Sequence, residues 1–238
     1  MENLNHSVPV VILCGGKGTR FKEKTVNTPK PLIEIGGKPM LWHIMKIYQV
    51  QGFTNFILSC GYKAEKFVKF TEKLNIKCDV KVINTGLNTD TGGRIYKLKK
   101  YIKTDSFMCT YGDGLSDIDL PKLMLHHIRK KKVASITCVL PRNQYGILKI
   151  KNGLVRSFIE KPRMTEWVNG GFFVFNKRVF DYLSSDCKLE TEPFSKMASD
   201  GQITAFKHTS FWASMDNYKD YQTLNNIWDK KEAGWKMW

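Results

Sequence analysis

Residues Val10, Val11, Ile12, Leu13 and Cys14 run without a break into Gly15-Gly16-Lys17-Gly18-Thr19-Arg20. A short, wholly apolar run rich in β-branched residues reads as a strand buried on both faces. Such a strand needs helices above and below it, which points to an α/β protein. The loop that follows has three glycines in four positions. They let the backbone turn sharply and present its N–H groups to an anion, and Arg20 adds a planar fork suited to phosphate. The spacing is neither a G-x-G-x-x-G fingerprint nor a Walker loop, since no Lys-Ser/Thr pair closes it. Taken alone, the loop also reads as a plain tight turn.

The rest of the chain continues the alternation. Strand patterns fall at 56–59, 80–83, 107–110 and 134–140. Between them, Leu41, Ile44, Met45 and Tyr48 lie at helical spacing, and helical patterns cover 64–73, 95–102 and 120–130. Strands alternating with helices predict a Rossmann-like, doubly wound, mostly parallel sheet. After residue 140 the rhythm changes. Runs at 145–150 and 154–158 flank Lys151-Asn152-Gly153, a hairpin turn. A strand at 172–175 and helices at 178–183, 193–199 and 218–228 complete the pattern. We expect one domain over 1–238, with a doubly wound core in 1–140 and antiparallel additions plus a C-terminal helix in 141–238. In open sheets of this kind ligands bind at the carboxyl ends of the strands, so the informative residues should follow strands.

Composition narrows the function. The chain has 238 residues, with 38 Lys and Arg against 22 Asp and Glu, a net charge of +16. Such a surface attracts anions. The basic residues are scattered, however, and the densest run, Arg129-Lys130-Lys131-Lys132, closes a helix and suits its C-terminal dipole. No stacking platform or groove-reading helix accompanies the charge, so we expect no nucleic-acid partner. The early apolar run is short, is interrupted by Pro9 and lacks a basic leader. This predicts no signal peptide, no membrane insertion and a cytoplasmic protein. The six cysteines show no C-x-x-C spacing and read as free thiols, not as a zinc or redox motif. His126 and His127 are adjacent on a helix and so do not face one ligand.

Thr28-Pro29-Lys30-Pro31 follows the glycine loop. Two prolines fix the backbone around Lys30, and a rigidly mounted lysine beside a phosphate-type loop suggests a fixed cation for a polyphosphate. The loop together with Pro29-Lys30-Pro31 resembles the signature of nucleoside-diphosphate-sugar pyrophosphorylases. Further blocks resemble the glucose-1-phosphate cytidylyltransferases within that superfamily. They include Glu34-Ile35-Gly36-Gly37-Lys38-Pro39, Thr91-Gly92-Gly93-Arg94, Thr110-Tyr111-Gly112-Asp113-Gly114 and Glu160-Lys161-Pro162. Asn169-Gly170-Gly171-Phe172-Phe173 and Phe211-Trp212 with Met215-Asp216 belong to the same series.

The resemblance implies a nucleotide-binding core in 1–140, an acceptor side in 141–238, and a reaction. A phosphate monoester attacks the α-phosphorus of CTP in line, giving a CDP-linked product and pyrophosphate, with Mg²⁺ as cofactor. Gly15, Gly16, Gly18, Thr19 and Arg20 would wrap the triphosphate, and Arg20 and Lys30 would neutralise the leaving pyrophosphate. Asp113, a carboxylate between glycines at a strand end, and Asp216 would be the metal pair. Thr91, Gly92, Gly93 and Arg94 would lie over the base, with Arg94 bonded to cytosine. Lys161 would hold the acceptor phosphate, and Tyr111, Glu160, Asn169 and Gly170 would line the rest of the acceptor pocket.

One departure from the resemblance stands out. Between Gly61-Tyr62 and Asn84-Thr85-Gly86 the connection is short compared with the glucose enzymes. Shortened relatives serve capsule biosynthesis with L-glutamine phosphate as acceptor, so glucose 1-phosphate and L-glutamine phosphate both stay open. The same comparison leaves a homo-oligomer open. Two rival readings are a GT-A glycosyltransferase, for which Asp117-Ile118-Asp119 would be the D-x-D motif, and a non-catalytic nucleotide-binding protein. Asp117 and Asp119 precede a helix, which favours capping over metal binding. The aromatic end, from Trp228 to Trp238, reads as packing on the domain or on another subunit.

Overall fold

The computed structural model describes residues 7–16, 18, 21 and 27–238. The elements, in chain order, are β1 (Pro9–Leu13), β2 (Glu34–Ile35), β3 (Lys38–Pro39), α1 (Met40–Gln49), β4 (Asn55–Cys60), α2 (Ala64–Glu72), β5 (Asp79–Asn84) and α3 (Thr91–Lys97). Then come β6 (Ser106–Tyr111), β7 (Gly114–Ser116), α4 (Leu120–Lys130), β8 (Ala134–Val139), β9 (Ile147–Lys151), β10 (Leu154–Ile159) and β11 (Val168–Asn176). The chain closes with α5 (Glu192–Ser199), β12 (Ile203–Lys207), β13 (Trp212–Ser214) and α6 (Tyr218–Asp229).

Seven strands form one twisted sheet in the order β12-β8-β11-β6-β1-β4-β5. All neighbours are parallel except β11, which runs against both β6 and β8. The alternation of side chains along β1 shows why both faces need helices. Val10 and Ile12 enter the cluster built by α1, α2, α4 and α6, while Val11 and Leu13 enter the cluster built by α3, α5 and the 3-10 turn Lys177–Asp181. All four are buried, which is why the run carries no polar alternation.

The doubly wound, mostly parallel expectation is therefore met, with three refinements. Strand β12, which the pattern did not single out, pairs parallel to β8, so the C-terminal part extends the main sheet as well as adding antiparallel pairs. The expected helix at 178–183 is a single 3-10 turn. The helix expected at 95–102 begins at Thr91 and ends at Lys97, followed by a 3-10 turn Lys99–Tyr101. Gly92 and Gly93 are poor helix formers and masked this start.

The order of the sheet reverses at β1. Strands β4 and β5 build outward on one side, and β6 returns to the other. A crevice opens at such a switch point, outside the carboxyl ends of the strands. Leu13 and Tyr111 are Cα partners at those two ends, so Gly15 and Asp113 emerge side by side.

The aromatic C-terminus packs on the domain. Trp235 is buried against Phe211, Trp228 and His43, and Trp238 meets Trp42 edge-on. Among the described residues no helix is long and apolar enough to cross a membrane. The six cysteines are free, as expected.

Candidate active site

Three segments converge on the crevice. Lys30 opens a 3-10 turn, Lys30–Leu32, locked by Pro29 before it and the buried Pro31 after it. Asp113 sits in the turn between β6 and β7. Asp216 follows β13. The pairing of β13 with β7, Ser214 opposite Gly114, explains why two aspartates so far apart in sequence meet. The backbone N–H of Met215 donates to the Asp113 carbonyl at 2.9 Å and fixes that approach.

Lys30 Nζ donates to Asp113 Oδ2 at 2.7 Å and to Asp216 Oδ1 at 3.0 Å. The lysine side chain is only 14% exposed, against 28% and 42% for the aspartates. Burial pulls the Lys30 pKa down, the two carboxylates push it up, and the balance leaves it raised. The ammonium therefore stays charged. Asp216 is held from behind as well. Ser214 Oγ donates to its Oδ2 at 2.7 Å. Its backbone N–H donates to Asp220 Oδ2, which with Asn217 forms a reciprocal capping box at the start of α6.

Two cavities meet at this cluster. One, of about 270 Å³, is lined by Gly15, Gly16, Gly18, Lys30, Thr91, Arg94, Tyr111 and Asp113. The other, of about 310 Å³, is lined by Tyr111, Asp113, Asn169, Gly170, Trp212 and Asp216. Tyr111 and Asp113 form the wall between them. Of the expected residues, Gly15, Gly16, Gly18, Thr91 and Arg94 line the first cavity and Asn169 and Gly170 line the second, with Asp113 between them. Thr19 and Arg20 lie outside the described residues.

Five residues are placed differently from expectation. Arg94 lines the first cavity but its guanidinium points into the protein. It donates to the carbonyls of Cys60, Gly86 and Gly15 and to Thr85 Oγ1, at 2.8–3.1 Å. It therefore ties the glycine loop to the ends of β4 and β5, in place of the cytosine contact expected of it. The contact is tight: a Cβ on Gly15 would lie 2.0 Å from the guanidinium carbon, so a side chain there would push Arg94 off these bonds. Gly92 and Gly93 do not line the cavity. They let α3 close on the segment around Cys187, where a Cβ on Gly92 would meet the Cys187 sulfur at 2.5 Å. Glu160 and Lys161 line neither cavity. They pair with each other at 2.8 Å at the exit of the β9–β10 ribbon, and Lys161 adopts a left-handed backbone, φ +44°. That is an unfavourable conformation for a lysine ahead of a proline, and strain of this kind clusters at functional sites.

The sequence reading missed Glu190. Its carboxylate accepts Tyr111 OH at 2.5 Å and Thr91 Oγ1 at 2.6 Å, so one buried-side anion orients a wall residue of each cavity. Burial first, and then Glu190, push the Tyr111 phenol far above its usual pKa, and it remains a neutral donor. Tyr111 OH in turn accepts from Asn169 Nδ2 at 3.3 Å. Glu190 lies just ahead of a helix in the run Leu189-Glu190-Thr191-Glu192, where an acid reads as an ordinary helix-start residue. Close packing also demands Gly171, at φ +78°, where a Cβ would lie 2.5 Å from the Tyr111 ring.

The D-x-D alternative fails on geometry. Asp119 caps α4 by accepting Lys122 N–H at 2.9 Å, and Asp117 lies 3.0 Å from His208 Nε2 and accepts Ser210 Oγ. Neither lines either cavity.

The nucleotidyl transferase profile matches residues 9–231, nearly the whole chain. The protein belongs to the nucleotidyl transferase family. It is 41% identical to the probable glucose-1-phosphate cytidylyltransferase of Bacillus subtilis, with 96% of this chain and 99% of that one covered. It is 40% identical to the glucose-1-phosphate cytidylyltransferase of Salmonella typhimurium, with 96% and 98% covered. Among solved structures, HddC from Yersinia pseudotuberculosis superposes with a TM-score of 0.74 at 30% identity, covering 93% of this chain and 99% of that one. HddC has also been solved with GMP-PN, and that form superposes with a TM-score of 0.73. The Bacillus alignment runs over 251 positions, more than the 238 residues of this nucleotidyltransferase, so the relative carries residues that this chain lacks. As a nucleotidyltransferase, the chain is an enzyme.

Proposed function

We propose that this nucleotidyltransferase transfers CMP from CTP to a phosphate monoester, with Mg²⁺ as cofactor. The observation that carries the reading is the Lys30–Asp113–Asp216 cluster at the wall between two cavities. One cavity is rimmed by the glycine loop and suits a triphosphate. The other suits the acceptor. An oxygen of the acceptor phosphate attacks the α-phosphorus, the bond to the bridging oxygen of pyrophosphate breaks, and no covalent intermediate with the protein is needed. Both reactants are polyanions, so positioning and charge neutralisation supply most of the catalysis.

The donor set fits Mg²⁺. Among the described residues, no group of three or more Asp, Glu, His or Cys side chains is arranged to hold a metal ion. Two carboxylates are what Mg²⁺ takes when phosphate oxygens and waters complete its shell. When bound, the ion would neutralise charge on the reacting phosphates. Lys30 now lies between the same two carboxylates and stands in for a cation. An incoming triphosphate offers its ammonium a stronger partner, so Lys30 can swing to the leaving pyrophosphate and free both aspartates. Thr19 and Arg20 would complete the triphosphate wrap, and Lys161 would reach the acceptor phosphate from the ribbon.

Glucose 1-phosphate is the first acceptor we propose, because the relatives that align along nearly all of this chain carry it in their names. L-Glutamine phosphate, in cytoplasmic capsule biosynthesis, is the second. It is favoured by the short path from α2 to β5 and by the residues the relatives have in excess. The test is pyrophosphate release with CTP and Mg²⁺, offering each acceptor in turn. Release that depends on one acceptor supports the reading and chooses between the two. No release with either overturns it.

A further inference from the structure

We propose that Arg142 and Arg163 form a second anion site, separate from both the triphosphate loop and Lys161. The two arginines are direct partners in an isolated antiparallel bridge at the neck of the β9–β10 ribbon. The flanking hydrogen bonds define the type of pair. Asn143 N–H donates to the Pro162 carbonyl at 2.7 Å and Met164 N–H to the Pro141 carbonyl at 2.9 Å. This leaves Arg142 and Arg163 as the non-hydrogen-bonded pair between them. In that geometry the Cα atoms approach to about 4.5 Å and the side chains are at their closest cross-strand spacing.

Like charges directly opposite one another destabilise a pair of strands, so the juxtaposition asks for a counter-ion. Among the described residues neither guanidinium has a hydrogen bond or an ion pair. The neighbouring acids are already engaged: Glu160 with Lys161, Asp216 with Lys30 and Ser214, and Asp220 with the backbone at the start of α6. Both arginines line a cavity of about 800 Å³, and that cavity shares Trp212, Ser214 and Asp216 with the acceptor-side cavity. Two planar forks side by side suit a carboxylate, phosphate or sulfate. The ligand is therefore a small oxyanion. It arrives either as a second acidic group on the acceptor or as a free anion. The site itself does not depend on the proposed transfer reaction. Only the first of these two sources rests on that reading.

The test begins with sulfate as the probe and equilibrium dialysis as the readout, which needs no turnover. Wild-type protein should bind one sulfate more than the Arg142→Gln/Arg163→Gln variant, and Lys161→Gln should leave that difference intact. Equal sulfate binding by wild type and double variant overturns the proposal. Kinetics then identify the source. A KM for L-glutamine phosphate raised about tenfold in the double variant, with the KM values for CTP and glucose 1-phosphate unchanged, assigns the site to a second acidic group on the acceptor. Unchanged KM values for all three, with the sulfate difference intact, assign it to a free anion. If wild type turns over neither acceptor, the transfer reading fails while the sulfate result still decides the site.

Discussion

Lys30, Asp113 and Asp216 stand on three segments locked to the sheets of the domain, whereas Glu160 and Lys161 stand at the exit of a ribbon that pairs with neither. The first group has its charges matched to one another within 3.0 Å and is partly screened from water. The second follows directly on strand β10, in a ribbon where Ile150, Val155 and Phe158 are all more than half exposed. A free two-stranded ribbon is marginal on its own. On the proposed reading, the Lys30–Asp113–Asp216 cluster is set before any ligand arrives, while Lys161 is carried by an element free to vary without disturbing the core.

Asp113→Asn should separate these two ends most sharply. It should lower kcat by roughly 10²–10³-fold while circular dichroism and Tm stay near wild type. Full activity in this variant would remove Asp113 from the reacting centre. Next in size is Trp235→Ala, at the buried aromatic cluster that holds the C-terminus. It should cost about 3–5 kcal/mol, read by denaturant unfolding, and a loss below about 1 kcal/mol would mean the cluster is not part of the core.

Acid should act on the core and not on the ribbon. His43 and His127 are buried and neutral, with burial the largest cause, and each is pushed down to about 4 from 6.5. His43 is fixed in one tautomer: Nε2 donates to the Ile35 carbonyl and Nδ1 accepts from Trp235 Nε1. The unfolded chain takes up these protons near pH 6.5 and the folded chain only near pH 4. Stability is therefore full above pH 6.5 and falls as pH drops toward 4, by on the order of 3 kcal/mol per histidine. His127→Gln should flatten part of that slope, and an unchanged slope would assign it to other groups. The smallest effect belongs to the ribbon. Phe158→Ser should change stability by less than about 0.5 kcal/mol, because its ring is 62% exposed. A loss of several kcal/mol would mean the ribbon packs more firmly than its exposure indicates.

The sheet and its switch point were legible in the sequence because buried parallel strands leave unbroken apolar runs, as at Val10 to Leu13. Lys30 was suggested by the two prolines that fix it beside the glycine loop, whereas Asp113 and Asp216 were singled out as a pair only through the family resemblance. What escaped reading was set by distant partners. Arg94 carries a charge that suits a ligand, yet the carbonyls of Gly15, Cys60 and Gly86 take it inward, and no local pattern announces them. Glu190 matters through Tyr111 and Thr91, about eighty and a hundred residues away. The Arg142–Arg163 pair appears only once the neck of the ribbon closes. Strand β12 is short and half-buried, with an alternation too weak to separate it from a loop.

The most direct test of nucleotidyl transfer follows the α-phosphorus. CTP labelled at that atom, incubated with Mg²⁺, the enzyme and the acceptor that releases pyrophosphate, should deliver all transferred label to a CDP-linked product and none to pyrophosphate. Label recovered as free CMP or CDP, with no acceptor adduct, would contradict the account.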